Sequence, residues 1–242
     1  MRVLVACEFS GIVREAFRKK GHDAWSCDFL PTDQPGNHLQ CDVRDVLGDG
    51  WDLMIAHPPC TYLCVSGLHW NKRRPGREKK TEEALEFVRS LLDAPIDMIA
   101  VENPVGCIST RIRKPDQTIQ PWWFGEDASK ATCLWLKNLP PLRPTNVISK
   151  PAWVRCDCCE DFLCTIHGGH VYDCKCKPIE WWVKKDIDPY TSGGRYANQT
   201  PGGQNKLGPS PDRWKLRSLT YPGIAEAMAE QWTTGATLFA GV

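Results

Sequence analysis

The chain has 242 residues, of which 42% are hydrophobic and 24% charged, and its formal net charge is +1. This length holds one catalytic domain with a modest insertion, and the absence of an apolar run long enough to span a bilayer excludes a membrane-spanning protein. The nearly neutral charge excludes a uniformly basic nucleic-acid-binding protein, so any contact with nucleic acid must come from local clusters such as residues 72–74 and 111–114.

The first hundred residues alternate the signals of strands and helices. In chain order the sequence predicts a strand at 3–6, a helix at 10–20, strands at 23–27, 38–41 and 51–56, a helix from Thr81, a strand at 96–101 and a last helix at 222–232. Ser10 is suited to cap the first helix and Gly21 to end it. Strands that alternate with helices predict a doubly wound, mostly parallel α/β sheet. The apolar N-terminal residues are therefore expected to form the first strand and not a signal peptide.

Reactive side chains are concentrated at the predicted carboxyl ends of the strands. These positions hold Glu8, Asp28, Asp42, Cys60 and Glu102. An acidic residue after a strand is commonly a helix cap or part of a solvated turn, so each one alone carries little weight. Because ligands bind beyond the carboxyl ends of parallel strands, five such residues on one edge indicate a functional site.

The segment His57-Pro58-Pro59-Cys60 follows a buried strand. Its two prolines restrict the backbone and hold Cys60 in a fixed position at the edge of the predicted cleft. A cysteine in that position is suited to act as a nucleophile, although most free cysteines are small buried apolar residues.

Glu102, at the end of the neighbouring strand, suggests a specific reaction for the cysteine. Cytosine accepts a thiolate at C6 when its N3 is protonated or hydrogen-bonded to an acid, and this addition makes C5 reactive toward a methyl group. A base then removes the C5 proton, and the cysteine leaves. Cys60 and Glu102 supply the nucleophile and the acid that this chemistry needs.

The sequence around these residues resembles the DNA cytosine-C5 methyltransferase family over residues 1–115, with a weaker similarity at 221–232. It is most similar to the compact bacteriophage members. The family's Pro-Cys motif after the fourth strand matches Pro59-Cys60, and its Glu-Asn-Val motif after the fifth strand matches residues 102–104. Its Phe-x-Gly-x-Gly motif after the first strand matches residues 9–13, where the second glycine is absent.

The resemblance implies a Rossmann-like, S-adenosylmethionine-dependent methyltransferase that acts on DNA, either on a cytosine flipped out of the duplex or on a single strand. The implied catalytic residues are Cys60, Glu102, Arg111 and Arg113. The implied cofactor-binding residues are Glu8, Phe9, Ser10, Gly11, Asp28, Asp42 and Pro58. In the family, the carboxylate at the position of Asp28 binds the cofactor ribose, and the aspartate at the position of Asp42 lies beside the adenine. The arginine pair contacts the target base and the backbone.

The chain contains 13 cysteines, six of which fall between Cys156 and Cys176 together with His167 and His170. A reduced cytosol with a clustered metal site fits this pattern better than a disulfide framework. The pattern thus predicts a cytoplasmic protein, in the host cytoplasm if the chain is phage-encoded. Few aliphatic residues are present to form a core, so we expect a structural zinc ion bound by Cys156, Cys159, Cys174 and Cys176. Cys164, His167 and His170 are alternative ligands, or ligands of a second ion.

The predicted organisation is a catalytic domain at 1–150, a zinc-binding insertion with a target-recognition loop at 151–215, and a C-terminal helical segment at 216–242 that returns to the catalytic domain. We expect a monomer without membrane association. Two alternatives are C5 methylation of RNA or of a free pyrimidine nucleotide, and a non-catalytic zinc module that binds nucleic acid. A third is methylation of an exocyclic amine. Residues 57–60 also resemble the Asn/Asp-Pro-Pro-Tyr motif of amino-group methyltransferases, with His57 in the first place.

Overall fold

The computed structural model describes residues 1–148, 196–199 and 205–233, together with the backbone of three short strands at Trp153–Arg155, Phe162–Cys164 and Gly169–His170. These three strands form a small antiparallel sheet in which Phe162–Cys164 is central. Within the described ranges, no helix is long and apolar enough to cross a membrane.

A seven-stranded sheet lies at the centre of the fold. Its strands are β1 (Arg2–Ala6), β2 (Asp23–Cys27), β3 (His38–Leu39), β4 (Leu53–Ala56), β5 (Met98–Pro104), β6 (Gln117–Ile119) and β7 (Thr132–Lys137). The order is β3-β2-β1-β4-β5-β7-β6, in which β7 is antiparallel to both of its neighbours and the other neighbouring pairs are parallel. This arrangement confirms the predicted doubly wound, mostly parallel α/β sheet. The winding reverses between β1 and β4, where a sheet of this kind opens a crevice for ligands.

Helices cover both faces of the sheet. They are α1 (Ile12–Lys19), α2 (Val65–Leu68), α3 (Arg77–Leu92), α4 (Ile108–Arg111), α5 (Arg213–Ser218) and α6 (Pro222–Gln231). On one face α1 packs against α6, in a core that includes Phe17 and Met228. On the other face α3 contributes Leu85 and Val88 to a core that also holds Trp135. Because both faces are covered, β1 and β4 are continuous apolar runs.

The starts of two helices differ from the sequence prediction. The first helix begins at Ile12 and not at Ser10, because Gly11 adopts the left-handed conformation with φ +73° immediately before the first helical turn. The third helix begins at Arg77, one turn before the predicted start at Thr81. The Thr81 hydroxyl is buried and donates to the carbonyl of Tyr62, so this residue anchors the helix to the preceding loop instead of capping it.

The last two strands of the sheet were not predicted from the sequence, and their pairing changes where β5 ends. β5 continues through Glu102 to Pro104, because β7 pairs with these last residues of β5. Glu102 lies opposite Leu134, and Pro104 lies opposite Thr132. The Glu102 side chain is therefore held by a strand with neighbours on both sides, and not by a loop after the strand.

Candidate active site

His57 and Glu102 meet at the carboxyl ends of β4 and β5. The backbone N–H of His57 donates to the carbonyl of Ala6 on β1, which continues the sheet by one residue. Its Nδ1 atom lies 3.0 Å from Oε2 of Glu102, and the two side chains are 9% and 16% exposed. The other ring nitrogen, Nε2, is buried without a hydrogen-bond partner in the described part of the chain. Sequence reasoning missed this pair, which follows from the β4–β5 register.

The Glu102 carboxylate is held in its ionised form by its surroundings. Burial opposes ionisation, but the hydrogen bond with His57, the charge of Lys130 and a hydrogen bond with Thr132 outweigh it, so the pKa of Glu102 is lowered. Thr132 is the first residue of β7 and Lys130 lies two residues before it, so the unpredicted strand and the segment that leads into it supply two residues of the site.

Cys60 begins a tight turn directly after Pro58 and Pro59. Its carbonyl accepts hydrogen bonds from the backbone N–H groups of Leu63 and Cys64, both at 3.0 Å, so residues 60 and 64 lie on the same side of one helical turn. Both cysteines are half-buried and free. The neighbouring Cys64 side chain, burial and the negative charge of Glu102 raise the pKa of the Cys60 thiol.

A second set of contacts joins the turn after β4 to the segment after β5. The Asn103 side chain donates to the carbonyl of Pro58 at 2.7 Å. The N–H of Cys107 donates to the carbonyl of Leu63 at 2.8 Å, and the N–H of Val65 donates to the carbonyl of Val105 at 3.1 Å. These contacts hold the Cys60 turn against the strand that carries Glu102, so the spacing of the two side chains is set by the backbone.

Glu8 caps the first helix. Its carboxylate accepts from the backbone N–H of Val13 at 2.7 Å and of Arg14 at 3.2 Å, and the Ser10 hydroxyl donates to it at 3.2 Å. Carboxylates are favourable at helix N-termini because they satisfy free N–H groups. Glu8 therefore occupies two of the amides at the N-terminus of the helix.

Arg14 supports the loop between β2 and β3 from inside the protein. The side chain is fully buried, and its guanidinium donates to the Ser26 hydroxyl at 2.9 Å and to the carbonyls of Gln34 and Pro35 at 2.9 and 3.2 Å. A Cβ atom at Gly11 would lie 2.6 Å from this guanidinium, so only glycine fits there. Sequence reasoning missed this role, because an arginine on a helix is usually solvated.

The ends of β1, β2 and β3 converge around Cys7. This residue adopts φ +59°, an uncommon conformation outside glycine, and burial together with the nearby charges of Asp28 and Asp42 raises the pKa of its thiol. Asp28 accepts from the N–H of Leu30 at 2.9 Å, and burial raises its pKa. Asp42 is ion-paired with Arg44, which lowers the pKa of Asp42.

The end of β1 and the end of β2 have groups that fit S-adenosylmethionine. The backbone N–H groups of Phe9, Ser10 and Gly11 have no acceptor among the described residues, and amides in such a loop are suited to a carboxylate. The Asp28 carboxyl accepts only backbone N–H groups from its own loop, so it retains capacity for a hydroxyl. Phe9 is buried, with its ring centroid 6.0 Å from that of Trp214.

Arg111 and Arg113 are not brought to the Cys60–Glu102 pair. Arg111 forms ion pairs with Glu78 and Glu82 of α3. Arg113 pairs with Asp116 at 2.7 Å, and it donates to a carbonyl of β7 at 3.0 Å. Their expected contacts with the target base stay a prediction.

The four expected zinc ligands, Cys156, Cys159, Cys174 and Cys176, lie outside the described residues. Within the described residues, no group of three or more His, Cys, Asp or Glu side chains could hold a metal ion. The zinc site therefore stays a prediction.

Part of the expected recognition loop lies beside the site. Asn198 forms two hydrogen bonds with the backbone of Ser129, both at 3.0 Å, and the ring of Tyr196 stacks on Trp122 at 6.0 Å between centroids. The ammonium group of Lys130 donates to the carbonyl of Arg217 on α5 at 3.2 Å. These contacts place residues 196–199 and α5 next to Lys130.

Comparison with known proteins gives little information about this chain. No protein-family model matches it, and no curated protein matches it. Among solved structures, it is similar to a candidate DNA modification methyltransferase encoded within an E. coli prophage, with 14% sequence identity and a TM-score of 0.40. The match covers 61% of this chain and 52% of the other. A likeness at this level does not bear on activity.

Proposed function

We propose that the chain is an S-adenosylmethionine-dependent methyltransferase that methylates cytosine at C5 in DNA. The observation that carries the proposal is that Cys60, on the turn after β4, and Glu102, near the end of β5, follow neighbouring parallel strands at the same edge of the sheet, with the Asn103–Pro58 hydrogen bond joining the two segments. A nucleophile beside a carboxyl group in this crevice is the pair that covalent attack on cytosine requires.

In this mechanism Cys60 attacks C6 of the cytosine while Glu102 contacts N3 and the exocyclic amine. The electrons of the C5–C6 double bond move toward C5, and N3 takes a proton. Because Glu102 is ionised in the free protein, this proton must reach the site when the base binds. His57 is in hydrogen-bond contact with the carboxylate and holds it in position.

S-adenosylmethionine, when bound, supplies the methyl group to C5. The amides of residues 9–11 would hold its carboxylate, and Asp28 would accept from its ribose hydroxyls. After methyl transfer a base removes the C5 proton, the C5–C6 double bond forms again, and Cys60 is released as a thiolate. N3 returns its proton to the Glu102 carboxylate, so the product is neutral 5-methylcytosine.

The proposed DNA substrate is supported by basic residues beside the site. The helix α5 carries Arg213, Lys215 and Arg217, of which Arg217 is exposed and Lys215 is ion-paired with Asp33, and its last turn contacts Lys130. Side chains of this kind can contact phosphates.

Tritiated methyl transfer followed by nucleoside analysis tests the proposal. Duplex DNA, single-stranded DNA, tRNA and dCMP are compared as substrates, and we expect label in 5-methylcytosine from DNA. A preference for tRNA or dCMP would show that the substrate is RNA or a free pyrimidine nucleotide and not DNA. Label in N4-methylcytosine, or no affinity for S-adenosylmethionine, would contradict it.

A further inference from the structure

The segment of residues 70–80 lies between α2 and α3 and includes the first turn of α3. It contains six basic residues and one acidic residue, in a chain whose net charge is +1, so the rest of the chain is net negative. The basic residues are Lys72, Arg73, Arg74, Arg77, Lys79 and Lys80. We call residues 70–80 the basic segment, and its charges create a local positive potential on the surface.

The charges of the basic segment are poorly neutralised by the part of the chain that the structure describes. Lys72, Arg73 and Arg74 are exposed, and none of them forms an ion pair with a described residue. The acidic residue of the segment, Glu78, forms an ion pair with Arg111, which lies outside the segment. Exposed cations that lack a carboxylate partner are available to an anionic ligand.

The second basic cluster of the sequence, residues 111–114, is in a different situation. Arg111 forms ion pairs with two glutamates of α3, and Arg113 forms one with Asp116. Both arginines therefore already contact carboxylates. Of the two clusters that the sequence offers for contact with nucleic acid, the structure favours the basic segment.

Two aromatic rings lie beneath the cations of the basic segment. The guanidinium carbon of Arg74 lies 4.4 Å from the ring centroid of Trp70, and that of Arg73 lies 5.8 Å from the same centroid. Arg77 lies over the ring of Tyr62 at 4.7 Å. An arginine held over an aromatic face keeps the N–H groups at its edge, which match the two oxygens of a phosphate. The rings therefore orient the guanidinium groups before a ligand binds.

The basic segment is joined directly to the turn that carries Cys60. The Arg77 guanidinium donates to the carbonyl of Thr61 at 2.9 Å, and the Thr81 hydroxyl donates to the carbonyl of Tyr62 at 3.1 Å. Thr61 and Tyr62 are the two residues that follow Cys60. The start of α3 thus holds the backbone beside the proposed nucleophile, and the basic segment flanks the site.

We propose that the basic segment binds the phosphates of the DNA strand that carries the target cytosine, with Arg73 and Arg74 as phosphate contacts. This inference rests on the proposed function, because DNA whose cytosine lies against Cys60 brings its neighbouring phosphates to the residues that pack on this turn. A DNA strand carries one phosphate per nucleotide, so a row of cations matches its backbone better than it matches one small anion. Such contacts position the DNA without reading its sequence.

The salt dependence of DNA binding tests the proposal without any methyl transfer. The full chain is titrated into a fluorescein-labelled duplex of mixed sequence, without cofactor, and anisotropy is measured at several salt concentrations. Each phosphate contact contributes about −0.9 to the slope of log K against log salt, because counterions are released. In the double variant Arg73→Gln, Arg74→Gln we expect a slope smaller in magnitude by about 1.8, and binding weaker by about 10–100-fold at about 0.1 M salt.

A matched control removes two exposed cations at the opposite edge of the sheet. Lys19 ends α1, and Arg143 follows the end of β7, so both lie at the amino edge of the parallel strands. Lys19→Gln with Arg143→Gln should keep the wild-type slope. A double variant at Arg73 and Arg74 whose slope equals that of the control would overturn the proposal, as would a wild-type protein that does not bind DNA.

Replacing both arginines with lysine separates charge from structure. Arg73→Lys with Arg74→Lys keeps both charges but loses the guanidinium groups over Trp70. We expect the wild-type slope, with binding weaker by about 2–5-fold. A slope reduced as much as in the glutamine variant would show that the loss comes from a disturbed loop and not from missing charge, and would overturn the proposal.

Methyl-transfer kinetics separate this inference from the proposed function. In an active protein, the glutamine double variant should raise KM for DNA and leave kcat at saturating DNA unchanged. A protein that methylates no cytosine, but whose salt slope falls in this variant, would contradict the proposed function and leave the basic segment as a DNA-binding surface. A protein that methylates cytosine, but whose KM and salt slope are unchanged in this variant, would overturn the inference alone.

Discussion

Replacing Gly106 with alanine tests whether the close approach of two segments sets the geometry of the site. The alanine Cβ would lie 2.0 Å from the carbonyl oxygen of Leu63 and 2.9 Å from the Cα atom of Cys64. Real Cβ atoms essentially never approach other atoms within 3.0 Å, so the backbone must move by about 1 Å. The moving segments carry Cys64 directly and are joined through the turn to Cys60.

The expected loss of stability comes from two sources. Overpacking of this kind costs about 1–3 kcal/mol. The shift also weakens the hydrogen bonds at 2.8 Å and 3.1 Å that join the two segments, each with a net contribution of about 0.5–1.5 kcal/mol. We therefore expect Gly106→Ala to lower the free energy of unfolding by about 2–6 kcal/mol. Displacing a nucleophile by about 1 Å should lower methyl transfer by about 10²-fold in the molecules that remain folded.

Urea unfolding followed by circular dichroism measures the stability, and initial rates measure methyl transfer. Gly48→Ala is the neutral control, because a Cβ there meets nothing within 4 Å. Gly223→Ala is the second control: its Cβ would lie 1.9 Å from the carbonyl oxygen of Phe124, on the α6 face and away from Cys60. It should lose stability but keep its rate per folded molecule. If Gly106→Ala is as stable as Gly48→Ala, or is less stable but transfers methyl groups at the wild-type rate per folded molecule, then the close approach at Gly106 does not set the geometry of the site.

Three further predictions concern the acid, the cofactor and the metal. Glu102→Gln should lower methyl transfer by about 10²–10⁴-fold with cofactor affinity within about twofold, and near-full activity would remove Glu102 from the mechanism. The pKa of Glu102 is lowered in the folded chain. The free energy of unfolding of the wild type should therefore fall relative to that of Glu102→Gln as the pH falls below about 4.3. Asp28→Ala should weaken S-adenosylmethionine binding by about 1.5–3 kcal/mol by calorimetry, and an unchanged Kd would exclude its role. Elemental analysis of protein purified without added metal should find at least one zinc ion per chain. If no zinc is found and all the thiols of the native protein titrate freely, the predicted zinc site in the cysteine cluster is wrong.

The sequence predicted the first five strands because their signals are local. β2 was placed at 23–27, as observed, and the apolar runs of β1 and β4 end at turn residues close to the chain positions expected. β6 and β7 were missed because short apolar stretches do not reveal whether they are strands, and because their partners are distant in sequence. This omission also hid Thr132 and Lys130, which hold Glu102 in its ionised form.

At the site, the sequence indicated residue types but not their contacts. Cys60 and Glu102 were identified from their positions at strand ends and from a family resemblance. The His57–Glu102 hydrogen bond depends on the register of two strands, and the position of Cys60 and Cys64 on one helical turn depends on the backbone hydrogen bond between them. Glu8 as a cofactor ligand stays a prediction, and its carboxylate also caps α1, a contact that only the fold of the intervening turn reveals.

In the proposed mechanism Cys60 is the nucleophile that attacks cytosine. DNA that contains 5-fluorocytosine tests it most directly, because fluorine cannot leave C5 as a proton does and the covalent intermediate accumulates. With S-adenosylmethionine present, we expect one adduct per chain, mapped by mass spectrometry to Cys60 and absent from Cys60→Ala. An adduct that persists in Cys60→Ala, or that maps to Cys64, would contradict the claim.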